Sequence, residues 1–513
     1  MRALILAIAL LAAVIPAAQA APWRITKDHW DEADERGFGA FVTALGESGC
    51  NSSQSCLRSE ANPWRGTDAG FMDVDADCAK LPYLLRGYYA WKNGLPFTYA
   101  QVVGERFSAG GNRVAGRTDL IDRGGGIDAN RALRQMMETV FSGTFRVDPG
   151  SPNGKPSDFY APALKPGSIR PGTVIYDTNG HVGIVYKVDQ SGRIHYMDAH
   201  PDFTITRSVY GAQFGRSPMR LGGGLKNWRP ILLVGARWDG RGLVGGQVLV
   251  ARQRDIPDFS LGQYSGTDGQ GRFAYNGAAL GYYEYVRVAV SGGRTDFNPV
   301  YELQAGMRTL CNDLGDRAQA VNQAVANGIA AKPHPGRLPR NIYLSDDGEW
   351  EAYATPARDA RLRAAFVQLR ADLARMIGLW LGRDPRIVHD GLFLKDDLLA
   401  AYDAQSEACR VTILTSDKRP VTLSFDDMAR RLPFLSFDPY HCEELRWGDA
   451  GMGSCNDNAA TRRWYEVEAP MRAEIGRDEA GSQARTIGPA DIDIRGLIAS
   501  MPARAPFVQR MPG

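Results

Sequence analysis

The chain has almost no net charge, few cysteines for its size, and no long apolar run beyond its first twenty residues. Sixty Lys and Arg residues stand against 58 Asp and Glu residues, a net charge of +2. That balance, with no basic block and no aromatic ladder, gives no field for capturing a phosphate backbone, so nucleic-acid binding is excluded. No stretch after residue 20 approaches the ~18 apolar residues of a membrane span, so none is expected once a leader has been removed. Seven cysteines in 513 residues are too few for a disulfide-knotted scaffold. Internal repeats are lacking too. What is present is ordinary globular material, 44% hydrophobic and 23% charged, long enough for two to four domains at ~150 residues each.

Residues 1–20, MRALILAIALLAAVIPAAQA, carry a charged start, a short apolar segment and the small-x-small triplet Ala18-Gln19-Ala20, the pattern of a cleaved export signal. An exported chain meets an oxidising compartment, where structural cysteines pair. Cys50 and Cys56 enclose NSSQS and can close a small loop. Cys442 and Cys455, beside His441, enclose a Gly-rich stretch and can do the same. Cys311 and Cys409 are then a long-range pair, and Cys78 is left over. Six paired cysteines allow fifteen connectivities, so Cys78 could instead be bridged to Cys50 or Cys56, or be an inert core residue. Its surroundings make it the odd one.

From Cys78 to Trp91, Leu81, Leu84, Leu85 and Tyr88 recur at helical spacing, with Pro82 one turn in. Two acidic turns precede it around 31–36. Residues 172–200 read as three strands, Thr173–Asp177, His181–Val188 and Arg193–His200, separated by turns at 178–180 and 189–192. PILLVGARW, after Trp228, reads as a closing strand. Residues 104–170, with one helix near Ala129–Phe141, read as an insertion. Helical spacing returns over 299–328 and 355–381, and the last thirty residues read as a loose tail. The domain reading is a signal at 1–20, a hydrolase-like domain at 21–235, a Gly-rich connection at 236–300 and a mainly helical region at 301–513.

A thiol is a good nucleophile only as thiolate, which a helix N-terminus and a nearby imidazole favour. Cys78 opens a helix, and its backbone N–H could help bind an oxyanion. His181 starts a strand after a turn, where a base can project into a cleft. A third polar group must fix its tautomer. Along the next strand Ile194, Tyr196, Asp198 and His200 share one face and His195 the other, so His195 and Asp198 cannot both face His181 unless the strand bulges. A metal on His195, Asp198 and His200 is disfavoured by the same alternation, and neither metal nor other cofactor is expected.

Asp77-Cys78-Ala79 leading a helix, then Arg170-Pro171-Gly172-Thr173-Val174-Ile175 and Gly180-His181-Val182-Gly183-Ile184-Val185, resembles the NlpC-type cell-wall cysteine peptidases. The resemblance implies an α+β, papain-like domain with Cys78 as nucleophile, His181 as base and His195 as orienter. In the related cysteine, histidine-dependent amidohydrolases, which it also resembles, the third member falls nearer Asp198, with His200 a further choice. It implies amide hydrolysis in peptidoglycan stem peptides in a periplasmic or secreted setting. Pro63-Trp64-Arg65-Gly66 stands where the family has Gly-Gly, making Trp64 and Arg65 candidates for substrate binding, with a merely solvated arginine as the alternative. Thr173 replaces the usual Asp. The likeness covers the N-terminal half only. Two other readings stay open: an envelope binding or scaffold protein that kept the fold without catalysis, and an acyl transferase using the same Cys–His pair.

Overall fold

The computed structural model describes residues 22–67, 73–105, 110–151, 154–294, 296–344, 348–353, 355–449, 451, 453–477 and 483–502. The signal read at 1–20 lies outside them. The molecule mixes helices with antiparallel sheets, and its C-terminal region is mainly helical. Among the described residues no helix is long and apolar enough to cross a membrane.

The first long helix, Glu32–Glu47, starts where Asp31 and Asp34 form a reciprocal cap, with Glu32, Asp34 and Glu35 favouring its positive end. It is longer than the two acidic turns suggested. Phe38, Phe41, Val42 and Leu45, at three- and four-residue spacing, are its buried side. The second, Lys80–Lys92, begins two residues after Cys78. The Asp77 side chain accepts the Ala79 and Lys80 N–H groups at 3.1 Å, and Pro82 sits in the first turn, where a missing N–H costs nothing. Its leucine stripe is buried as the spacing requires, but so is every residue from Leu81 to Trp91. Arg86 is tolerated there because Glu35 receives it at 2.9 and 2.5 Å and its guanidinium stacks 3.3 Å above the Trp30 ring.

The three strands form at Val174–Asp177, His181–Val188 and Ile194–Ala199, centred in a six-stranded antiparallel sheet. The full order is Phe159–Tyr160, Gly224–Trp228, Val174–Asp177, His181–Val188, Ile194–Ala199 and Ile205–Val209. The run PILLVGARW does not join this sheet: Ile231–Val234 pairs with Gln247–Val250 in a separate hairpin. Alternation gives the sheet two buried faces. Val174, Val182, Ile184, Met197 and Ala199 pack in one core with the two helices above. Ile175, Val185, Tyr196 and Leu225 pack on the other side with Phe214 and with Val286 and Val290 of the helix Tyr282–Val290. The stretch read as an insertion contributes the partner strand of the hairpin Phe97–Val103/Arg113–Leu120 and the helix Ala129–Thr139, whose Leu133, Met136 and Met137 belong to the first core.

A third core lies in the C-terminal half, around Leu303, Met307 and Leu314 of the helix Pro299–Ala326 and Phe366 and Leu373 of the helix Thr355–Leu381. The chain after residue 483 is not wholly a tail: Ile494 and Ile498, in the short helix Ile494–Ala499, and Met501 are buried in this core, so the apolar spacing of Ile494 and Ile498 outweighs the surrounding Pro and Arg. Residues 503–513 lie outside the described residues. The helical half is tied to the central sheet through Glu302, which accepts from Arg193 at 2.6 Å and from Arg287 at 2.8 Å. Three disulfides, Cys50–Cys56, Cys311–Cys409 and Cys442–Cys455, take six of the seven cysteines, and Cys78 lies outside them.

Candidate functional site

The turn 178–180 brings two of the sequence candidates to one corner. Asp177 pairs with His181 across it, and Gly180 takes a positive φ of 92° that closes it. The Cys78 thiol, arriving from the start of the helix Lys80–Lys92, donates to the Gly180 carbonyl at 3.7 Å, one residue before His181. Cys78 is 8% and His181 6% exposed. Both sit at the tip of the hairpin, with the thiol on the helix side. His181 shares the face of Gly183 and Val185, so its ring lies over the opposite face, 5.7 Å from the Phe214 ring.

On that face the imidazole meets Asp198. His181 Nε2 and Asp198 Oδ2 are 2.5 Å apart, both buried. The Thr206 hydroxyl donates to Asp198 Oδ1 at 2.7 Å and accepts from His200 Nε2 at 2.8 Å. The His200 ring stacks on His181 with 5.5 Å between centroids. A carboxylate can only accept, so His181 carries its proton on Nε2 and its lone pair on Nδ1. Burial, and next the Arg361 charge, lower the His181 pKa from 6.5 to about 4, so the ring is neutral at neutral pH. Burial would raise Asp198, but the adjoining imidazoles of His200 and His181 and the Thr206 hydroxyl outweigh it and hold the carboxyl below its usual range.

His195 is placed elsewhere. The register slips between Val185 and Lys187, and beyond this bulge His195 pairs with Lys187. Its ring is 3.5 Å from Asp189 at the far end of the strand. Of the three proposed third members, the structure brings Asp198 against His181, places His200 behind it and leaves His195 apart. Trp64 packs against Phe41, Tyr88 and Tyr89, more than two turns along the cysteine helix, and Arg65 is exposed with Glu60 at 4.0 Å. Neither reaches the hairpin tip through these contacts.

Four groups absent from the sequence reading shape this corner. Thr206 orients the carboxylate. Asp177, raised by burial to about 6, accepts the Asn179 N–H at 2.9 Å and leaves its other oxygen buried with no hydrogen-bond partner among the described residues. Arg358 and Arg361 come from the helix Thr355–Leu381, and Arg358 reaches Asp202 at 3.3 Å. Both line a small pocket with Asp198, His200, Thr206 and Asp313. No local signal could have placed residues so distant in sequence here.

His181, Asp198 and His200 also present donor atoms within 4.8 Å of one another, a spacing compatible with a metal ion. Their Nε2 and Oδ2 atoms are engaged in the hydrogen bonds just described, which a cation would have to replace. No family model, curated protein or solved structure matches the chain.

Proposed function

We propose that the protein is an exported cysteine hydrolase of papain-like type, cleaving amide bonds of peptidoglycan stem peptides. The observation that carries this is the relay His200–Thr206–Asp198–His181, which fixes the basic nitrogen of an imidazole that follows directly on the carbonyl touched by the one unbridged thiol. For this the Cys78 proton must pass around the hairpin tip to His181 Nδ1, on the other face of the sheet, and the sulfur then bonds the substrate carbonyl carbon. The C–N bond then breaks, the amine leaves with the proton from His181, and water, deprotonated by His181, cleaves the thioester. Asp198 holds the ring and steadies the imidazolium in each half-reaction. The substrate class rests on the export signal and the motif resemblance.

Two features support the non-catalytic binding reading instead: the near-complete burial of Cys78 and His181, and the helical half packed beside Asp198. The deciding experiment incubates purified sacculi with wild-type protein and Cys78→Ala and identifies released fragments by mass spectrometry. Wild-type release with none from the variant supports the proposal. Equal release, or none from either, overturns it. Fragments carrying an added amine rather than water identify an acyl transferase.

A further inference from the structure

A second buried cluster occupies the helical half, far along the chain from the hairpin tip. Asp438 and His441 lie in the segment before the short helix Glu443–Arg446, and Glu468 ends the helix Ala459–Val467. All three are at most 1% exposed, and one oxygen or nitrogen of each lies within 4.8 Å of the others.

Neighbouring groups fix how these donors point. His441 Nδ1 is 2.7 Å from Asp457 Oδ2, and the other Asp457 oxygen accepts the Cys442 N–H at 2.8 Å. Nδ1 therefore carries the proton, and the lone pair is on Nε2, which is buried with no hydrogen-bond partner among the described residues. Asp438 is held from two sides, by the Tyr440 N–H at 3.0 Å and by His334 Nε2 at 2.8 Å. His334 Nδ1 accepts the Gly336 N–H, so its Nε2 is the donor. Glu468 Oε1 accepts from Arg472 at 3.3 Å, while Oε2 is buried with no hydrogen-bond partner among the described residues. An imidazole lone pair and a carboxylate oxygen, both buried without a partner among the described residues, are costly unless something binds them. A carboxylate behind one donor and an imidazole behind another are what metal sites use to orient their ligands.

We propose that Asp438, His441 and Glu468 bind one divalent transition-metal ion, with zinc the best match to one imidazole and two carboxylates. Their burial keeps substrate from the remaining coordination position, so the ion's role is structural. It ties the segment ending in the Cys442–Cys455 disulfide to the end of the helix Ala459–Val467. The rival arrangement is neutralisation by arginine alone: Arg446 and Arg472 bring positive charge to the same interior. This inference is independent of the hydrolase proposal.

The test uses full-length protein, purified without chelator and analysed for metals, then stripped and refilled with zinc or cobalt. Wild type is expected to carry about one ion per chain, to melt higher when refilled, and to give visible cobalt absorption of tetrahedral intensity. Glu468→Gln, which keeps the side-chain volume, and His441→Ala should lose the ion, and His334→Gln should weaken binding about 10–100-fold. His181→Ala should retain it. Should His441→Ala fail to fold, Glu468→Gln and the stripped wild type still decide. The proposal is overturned if wild type holds no metal and its melting ignores added zinc, cobalt and manganese. It is equally overturned if the ion survives Glu468→Gln or is lost with His181→Ala.

Discussion

The two histidine clusters are built from the same parts and differ in one detail. Each sets a buried imidazole against a buried carboxylate, His181 on Asp198 and His441 on Asp457. In the first the carboxylate takes Nε2 and leaves the lone pair on Nδ1, in a ring that lies on the face of the sheet opposite the thiol. In the second it takes Nδ1 and leaves Nε2 buried, on a ring that clusters with two more carboxyl groups. The ring nitrogen left over bears on each proposal: Nδ1 of His181 is the base the hydrolase reading needs, and Nε2 of His441 is the donor the metal reading needs.

The comparison can be broken by substitutions that should act on one cluster alone. The largest effect is expected from Cys78→Ala, which should reduce fragment release from sacculi to background while metal content, by elemental analysis, stays at the wild-type level. Next is Asp198→Asn, which keeps the shape but offers an amide donor to His181 and so favours the wrong tautomer. Turnover is expected to fall about 10³–10⁴-fold with little change in KM, and steady-state kinetics on a soluble muropeptide would show it. The same activity measured against pH should keep its acid limb well below 6.5, toward the lowered His181 pKa of about 4.

Stability gives a smaller signal of defined sign. The unfolded imidazole binds its proton near pH 6.5 and the folded one only near 4, so the unfolded chain holds the extra proton between them. His181 therefore adds stability as pH rises from about 4 to 6.5. Asp177, raised from 3.8 to about 6, acts with the opposite sign over most of that range, so the useful quantity is the difference between wild type and His181→Gln. In urea unfolding that difference should grow by roughly 3 kcal/mol across the window. Arg361→Gln is expected to do least: removing a positive neighbour should raise the His181 pKa by a fraction of a unit, as read by NMR titration of the ring.

Much of the central sheet was legible, because Asn-Gly and Ser-Gly turns separate runs of Val, Ile and Tyr and fix the strand ends locally. The two short-range disulfides were legible for the same reason. The partner of His181 was not. Alternation put His195 and Asp198 on opposite faces without saying which one His181 uses, and that is set by the register Ile184↔Met197 and Val185↔Tyr196, a property of the paired strands and not of either one. Trp64 looked like a substrate contact because of where it stands in a motif, yet its ring packs with Phe41, Tyr88 and Tyr89. Arg358 and Arg361 were unreadable, since bringing a helix some 160 residues onward to Asp198 and Asp202 leaves no periodicity behind. His441 was read only as a neighbour of a disulfide, because Asp438 stands three residues before it while Glu468 lies on a later helix.

The position of the odd cysteine also bears on how the chain oxidises. In a chain that emerges amino end first, Cys50 and Cys56 appear together, only six residues apart, and can bridge at once. Cys78 comes third and finds no further thiol until Cys311. In the folded chain Cys78 is 8% exposed at the head of its helix, which limits its access to oxidants and to thiol exchange with the first bridge. The fold thus serves as a protecting group for the one sulfur the proposed chemistry needs.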